Sequence, residues 1–123
     1  MSEAENSLEF AMSLIAYSGD AKSHAMEAIY AAKKNAFEEA EKKLKLAEVS
    51  LLEAHHIQTN MLTKEAQGDE IKMSLLTIHS QDHLMTAITF KDMAAEMIDL
   101  YKKDGFESIN ILSIIEKVHF QKI

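Results

Sequence analysis

Hydrophobic and small side chains recur at helical spacing along most of the chain. In the first such stretch, residues 7–34, small side chains dominate one face. This face consists of Leu14, Ser18, Ala21, Ala25, Ala28 and Ala32. Side chains of this size let another helix approach closely, and an adjoining stripe supplies bulk. That stripe consists of Leu8, Met12, Ile15, Met26 and Ile29. The pattern predicts a long first helix with a close helix neighbour.

A second helix is predicted immediately after the first. Asn35 interrupts the pattern, and its side chain can cap the next helix, with Glu38 three residues later completing a pair that resembles a capping box. The helix should end near Gly68, because glycine accepts the positive φ found at many helix ends. Its predicted inner face consists of Phe37, Ala40, Leu44, Ala47, Leu51, Ala54, Gln58 and Leu62.

A third helix is predicted from about Ser74 to the residue before Gly105. Two lysines fall in its last turn, where positive charge suits the helix dipole. Beyond it, Ser108 could cap a short fourth helix, whose length is marginal unless it docks on something. The apolar side chains of that segment are Ile111, Leu112, Ile115 and Val118.

Composition favours helix throughout. The chain has 123 residues, no proline, three glycines and 47% apolar residues, which leaves few helix breakers. We therefore expect a single domain over residues 1–123, all-α, with an antiparallel three-helix bundle at about 7–104 and a tail at 105–123. Three such apolar faces exceed what one three-helix interior can bury, so we also expect self-association.

Charge and residue usage exclude several classes of partner and site. The net charge is −7 and all thirteen basic residues are lysine, so no basic nucleic-acid surface is expected. The absence of cysteine excludes disulfides, thiol catalysis and cysteine-rich zinc sites. No apolar run approaches the roughly 20 residues of a membrane span, and the acidic start does not suggest a signal peptide. We expect a soluble, cytoplasmic protein.

The most informative segment runs from His79 to Thr86. His79 and His83 are four residues apart, so they and Thr86 share one helix face. The same stripe continues through Phe90, Met93, Met97 and Leu100, and the methionines Met85, Met93 and Met97 are expected in the core. Along this face, side chains that can act as ligands or nucleophiles are therefore followed by side chains suited to hydrophobic packing.

Asp82 lies where the heptad spacing from Ile78 to Met85 leads one to expect an apolar residue. A carboxylate in such a position needs a partner. A zincin motif would require Glu at Ser80, and in the inverted form Asp82 stands where a longer Glu is usual, so a metalloprotease is weakly supported. His55 and His56 point in diverging directions from a helix and cannot jointly bind one ion, which favours a plain polar or core role.

The segment His79-Ser80-Gln81-Asp82-His83-Leu84-Met85-Thr86 resembles the HGQDHLMT signature of the lactose/cellobiose-type enzyme IIA of the bacterial phosphoenolpyruvate-dependent sugar phosphotransferase system. Residues 15–23, IAYSGDAKS, are similar to the IVAYAGDARS segment of that family, and residues 53–62, EAHHIQTNML, to EAHSSQTGML. The KDM at 91–93 and the LYK at 100–102 also match, in order. The resemblance covers about residues 8–103.

The resemblance implies a three-helix subunit, a homotrimer that forms a nine-helix bundle, and a phosphorelay role. The phosphorylated histidine of the family matches His79, its metal-binding aspartate on the threefold axis matches Asp82, and Gln81 and His83 match neighbouring active-site positions. The metal would be one divalent cation per trimer, and oxygen ligands favour Mg²⁺. The implied partners are the phosphocarrier HPr, a cognate enzyme IIB and, indirectly, the membrane enzyme IIC.

Three features depart from the family pattern. Ser80 replaces a glycine or alanine, Lys22 stands where many members have arginine, and the tail at 105–123 has no counterpart. With no arginine in the chain, amide, hydroxyl, imidazole or backbone donors would stabilise a transferring phosphoryl group, and Gln81 is the best-placed amide. Two alternatives from other classes stay open, a metal-dependent hydrolase built on His79, Asp82 and His83, and a helical scaffold without chemistry.

Overall fold

Three helices account for almost all of the chain. In the computed structural model, α1 spans Glu3–Lys33, α2 spans Phe37–Ala66 and α3 spans Leu75–Lys122. The structure describes the backbone of residues 3–122 and the side chains of residues 5–103 and 114–118. Within residues 3–122 there is no strand, which confirms the all-α prediction and the antiparallel three-helix architecture.

Helix α1 is the element to which both other helices attach. It packs extensively against α2 and against α3, whereas α2 and α3 contact each other much less. The predicted small-residue face is confirmed, because all six of its side chains, from Leu14 to Ala32, are fully buried. Alanine and serine leave the helix axes close together, so the packing depends on these positions staying small.

The buried side chains form two clusters along the bundle. One lies towards the α1–α2 turn and is mostly alanine, with Ile29, Leu44 and Ile98 as its large members. The other includes Leu14, Leu51, Met61 and Leu84. Leu84 belongs to α3 and lies one residue after His83, so the second cluster anchors the helix segment that carries the histidines.

Asn35 ends α1 and does not cap α2. Its φ is +60°, and the amides of Asn35 and Ala36 donate to the carbonyls of Ala32 and Ala31, which is the Schellman arrangement at a helix C-terminus. The N-cap residue of α2 is Ala36, and no side-chain hydrogen bond caps that helix. The predicted capping role of Asn35 and Glu38 was therefore wrong, because the preceding helix uses the left-handed conformation of Asn35 to stop.

Gly68 performs the predicted role at the end of α2. Its φ is +95°, and its amide donates to the carbonyl of Glu65 while that of Asp69 donates to Lys64. The inner face of α2 is confirmed from Ala40 to Ala54. Near the end of the helix the buried position shifts to Met61, and Leu62 is 61% exposed, contrary to prediction.

Helix α3 continues far beyond the predicted end. It passes through Gly105 without a break and reaches Lys122, so the predicted stop before Gly105 and the separate fourth helix were wrong. One glycine without a following breaker costs only about 1 kcal/mol, which a helix already extended by thirty residues tolerates. The side chains of Ser108, Ile111 and Leu112 lie outside the described residues, and those of Ile115 and Val118 are exposed.

Two of the three methionines expected in the core are on the surface of the chain. Met85 is 48% exposed and Met93 is 57% exposed, whereas Met97 packs partly buried against the first cluster. The error arises because helical spacing identifies a shared face without telling which partner covers it. Over the described residues, no helix has a stretch long and apolar enough to cross a membrane.

Gly19 and Gly68 differ in backbone conformation and give a matched stability test. An added Cβ would meet nothing within 4 Å at Gly19 or at Gly68, but only Gly68 has positive φ. Gly68→Ala should lower the free energy of unfolding by about 1 kcal/mol through backbone strain, while Gly19→Ala, inside α1, should raise it by about 0.5 kcal/mol. Urea denaturation followed by circular dichroism measures both, and changes of the same sign would contradict this account.

Candidate functional site

The first turns of α3 are tied down by hydroxyl groups. The amide of Thr77 donates to Ser74 Oγ at 3.1 Å, so Ser74 caps the helix as the predicted start requires. The Thr77 hydroxyl donates to the Lys72 carbonyl at 3.0 Å and accepts from the Ser74 hydroxyl at the same distance. The Lys72 amide in turn donates to Ser7 Oγ of α1. These bonds position the turn that carries His79.

The burial of Ser80 explains why this position takes only a small side chain. The residue is fully buried, and its hydroxyl donates to the Thr77 carbonyl at 2.6 Å. The hydroxyl is therefore satisfied within α3 and does not take part in the neighbouring chemistry. The departure from glycine or alanine at this position is accommodated without loss of packing.

His79 and His83 are in direct contact, as their spacing predicts. Their Nε2 atoms lie 3.0 Å apart, and the rings meet edge to face with centroids 4.4 Å apart. One nitrogen must donate and the other accept, because two N–H groups or two lone pairs at this distance would repel. His79 is exposed and His83 is half-buried, so only His79 is fully accessible to a partner.

The surroundings of His83 decide which ring donates. Its Nδ1 is buried and has no hydrogen-bond partner among the described residues. A proton placed there would be an unsatisfied buried donor. The favoured tautomer therefore has its proton on Nε2, directed at the lone pair of His79 Nε2, and His79 has its proton on Nδ1.

The pKa of His83 is lowered from its ordinary value. Burial is the largest cause, followed by the positive charge of Lys22 and by His79, while Asp82 acts in the opposite direction. Burial disfavours the imidazolium because the charged ring loses its hydration. His83 is accordingly neutral at pH 7, which is the state in which its Nε2–H can donate to His79.

Lys22 is the site residue that the sequence did not identify. It belongs to α1, but its charge acts on His83 of α3, because the small-residue face brings the two helices together. The signal was present in the GDAKS segment, where Lys22 occupies an arginine position of the family that the chain resembles. The site therefore has a positively charged side chain, that of Lys22, although the chain contains no arginine.

Gln81 lies on another side of α3 from the histidines. Its Oε1 accepts from Gln58 Nε2 at 2.8 Å, and its Nε2 contacts the sulfur of Met61 at 3.7 Å. Both ends of the amide are therefore engaged with α2. The chain alone does not bring Gln81 to His79.

Asp82 is exposed at the edge of a groove of about 280 Å³ between α2, the 67–74 connection and α3. Apolar side chains that include Met61, Ile71 and Ile78 line it. Asp82 supplies one carboxylate, and no group of three His, Cys, Asp or Glu side chains that could bind a metal occurs among the described residues. A metal site at Asp82 would need carboxylates from further copies of the chain.

Thr86 and the other histidine pair complete the predicted candidates. The Thr86 hydroxyl donates to the carbonyls of Asp82 and His83, at 2.8 and 3.2 Å, so its proton is engaged with the helix backbone. His55 and His56 are both exposed on α2, in agreement with a plain polar role. The structure thus brings together His79, His83 and Lys22.

Comparison with known proteins gives a consistent result. Residues 9–102 match the model of the lactose/cellobiose-specific IIA subunit of the sugar phosphotransferase system. The chain is 53% identical over 90 residues to the lichenan-specific phosphotransferase enzyme IIA component of Bacillus subtilis, which covers 73% of this chain and 82% of the relative.

Solved structures resemble the fold as well. The cellobiose-specific enzyme IIA from Bacillus anthracis has a TM-score of 0.78 and 48% identity, over 84% of this chain and 92% of that one. A chitobiose IIA, solved in solution in complex with HPr of Escherichia coli, has a TM-score of 0.66 and 36% identity, over 79% of this chain and 94% of that one. Residues beyond 102 lie outside the family match.

The influence of Lys22 on His83 is directly testable. Lys22→Met removes the charge and keeps most of the side chain, so the pKa of His83 should rise. Titration of the histidine ring signals by NMR measures the pKa. Lys45→Met is the matched control, because Lys45 is exposed on α2 and does not act on His83. An unchanged pKa in Lys22→Met, or an equal rise in the control, would show that the charge of Lys22 is not felt.

Proposed function

Because the chain belongs to the lactose/cellobiose-specific IIA family of the phosphoenolpyruvate-dependent sugar phosphotransferase system, we propose that His79 accepts a phosphoryl group from phospho-HPr and passes it to the cysteine of a cognate enzyme IIB. The observation that carries the proposal is the exposed His79 ring with its Nε2 lone pair directed at His83. The IIA–HPr complex solved for a relative supports HPr as the donor. Transfer to IIB would serve sugar uptake through the membrane enzyme IIC, with the relay in the cytoplasm.

His79 Nε2 is the nucleophile in this proposal. Its lone pair attacks the phosphorus of phosphohistidine on HPr, the P–N bond of the donor breaks, and the donor ring leaves with the electron pair. His79 keeps its proton on Nδ1, so Nε2 needs no base to become reactive. In the second step, the thiolate of IIB attacks the same phosphorus, and the bond to Nε2 breaks.

His83 and Lys22 would assist without forming a bond to phosphorus. When Nε2 of His79 takes the phosphoryl group, the Nε2–H of His83 loses its acceptor and can donate to a phosphoryl oxygen instead. The positive charge of Lys22 acts on the same region and would attract the anionic group. The uncharged state of His83 matters, because an imidazolium 3.0 Å from His79 would make its lone pair less nucleophilic.

Gln81 has a different place in this proposal from the one that the sequence suggested. Its amide joins α3 to Gln58 and Met61 of α2, so donation to a phosphoryl oxygen would cost the existing hydrogen bond. We assign it a positioning role, in which it fixes the rotation of α3 and hence the direction of His79.

We propose a homotrimer because α3 has an exposed apolar face. Ile78, Met85 and Met93 are 47%, 48% and 57% exposed, and Asp82 lies among them on the same side of the helix. Packing three copies through this face would cover the apolar side chains and bring three Asp82 carboxylates together. Neighbouring carboxylates repel unless they are neutralised.

A divalent cation fits that position. One Asp82 carboxylate from each of three copies would give an all-oxygen set, which suits a hard ion such as Mg²⁺, one per trimer. Bound there, the cation would neutralise the carboxylates and stabilise the assembly, and it would have no part in phosphoryl transfer.

Neither alternative from the sequence has comparable support. A hydrolase built on His79, Asp82 and His83 would need three ligands around one ion, and the described residues of a single chain offer no such group. A scaffold without chemistry does not account for a half-buried, neutral His83 that donates to an exposed His79. The relay explains both features.

Phosphate should appear on His79 alone. The full-length protein is incubated with phosphoenolpyruvate, enzyme I and HPr, and its intact mass is measured. We expect one phosphoryl group that is labile in acid and stable in alkali, lost in His79→Ala and retained in His55→Ala, which removes an exposed histidine elsewhere. Phosphate on His55, or an unmodified wild-type protein, would refute the assignment.

The trimer and the role of Asp82 are tested together. Light scattering should give about 41 kDa, three times the 13.8 kDa chain, and a chelator should lower the melting temperature because a bound cation stabilises the assembly. Asp82→Leu should stay trimeric and lose the chelator sensitivity, since it replaces repelling acids with an apolar layer. A monomer at micromolar concentration contradicts the trimer. A chelator-sensitive Asp82→Leu variant contradicts the axial cation.

A further inference from the structure

The last 20 of the 48 residues of α3, those after Lys102, extend beyond the other helices. α3 has 48 residues and α1 has 31, which correspond to roughly 72 Å and 46 Å at the rise of an α-helix. The last described contacts of α3 with the bundle are the packing of Tyr101 and the 2.7 Å ion pair of Lys102 with Glu41 near the start of α2. The described side chains of residues 114–118, beyond that level, are exposed.

The described side chains of this extension are exposed and rich in apolar residues. Ile114, Ile115 and Val118 are 60%, 56% and 47% exposed. An isolated helix of this length is marginal in water, and exposed isoleucine adds no stability to it. A chain that maintains such a segment as helix needs something to cover it.

The register of α3 indicates which face needs covering. Thirty-six residues are about ten full turns of an α-helix, and Ile114 and Val118 lie 36 residues beyond Ile78 and Asp82 respectively. The apolar positions of the extension are therefore in line with the α3 face that we assign to the trimer. The apolar face that includes Ile78 in the bundle therefore continues along one unbroken helix to Ile114 in the extension.

We propose that the extensions of three copies pack on each other as a parallel three-helix stalk, coaxial with the Asp82 layer. The proposal rests on the proposed trimer, because that assembly brings the three α3 helices to a common axis. Symmetry then places Ile114 against Ile114 and Val118 against Val118, so equal apolar side chains meet. An unbroken α3 cannot fold back to cover this face on its own bundle.

The segment that would form the stalk lies outside the family match. The family match ends at residue 102, just where α3 leaves the bundle. The extension therefore adds an interface to the assembly without altering the site at His79, which lies in the first turns of the same helix.

Because the chain has no cysteine, single introduced thiols report on the stalk without background. Val118→Cys puts a thiol on the proposed axis, and Glu116→Cys puts one about 200° away on the same exposed helix, as the matched control. Both full-length proteins are treated with a short thiol-to-thiol crosslinker at micromolar concentration. We expect covalent dimers in Val118→Cys, up to roughly two thirds of the chains because the third thiol has no partner, and few in Glu116→Cys.

Light scattering and the phosphorylation assay on the same samples separate the possible failures. A trimer that accepts phosphate but crosslinks no better at Val118 than at Glu116 overturns the stalk alone and indicates that another partner covers the face. A monomer overturns the stalk together with the trimer, and normal phosphate uptake in that monomer would leave the relay intact. Preferential crosslinking that disappears in an added Ile114→Asp substitution supports the stalk.

Discussion

The close contact of α1 with its two neighbours is the constraint on which the rest of this structure depends. A fully buried row of mostly small side chains on α1 packs against both α2 and α3. Small side chains contribute little hydrophobic area each, so stability has to come from the length of the contact and from its fit. The long helices follow from that requirement, and so does the absence of proline within them.

The same contact creates the electrostatics of the site. Lys22 lies on α1 and acts on His83 only because α1 and α3 approach closely. Partial burial keeps His83 uncharged, and its orphaned Nδ1 directs the one ring proton towards His79. Packing therefore determines protonation, and protonation leaves Nε2 of the exposed His79 ring as the acceptor of that hydrogen bond.

Most of the fold could be predicted because its signals are local and periodic. The six-residue inner face of α1 and the glycine at the end of α2 are each determined by residues a few positions apart. The wrong predictions occur where one residue suits two local structures, or where the surface that would cover a side chain does not belong to this chain. Asn35 suits both a helix end and a helix start, and the structure uses the former. Met85 and Met93 share the helical spacing of core residues but belong to a face that this chain does not cover.

At the site, the sequence spacing predicted the contact of His79 with His83. It did not predict the effect of a residue that is distant in sequence and close in the fold. Lys22 lies 61 positions before His83 in the sequence, and no periodicity connects the two residues. Gln81 illustrates the opposite case, since a motif neighbour on a helix can face away from the residue two positions before it. Residues that match a family motif are thus reliable as a set, while the direction of each side chain needs the fold.

The tight turn at residues 34–36 has a consequence for how the molecule is made. It joins α1 and α2 with almost no intervening chain, so the contacts between them have low contact order and a small loop-closure entropy. A helical hairpin of this kind can form during synthesis, before the ribosome has released α3. The helix that carries the histidines would then dock last, onto a partly prepared surface.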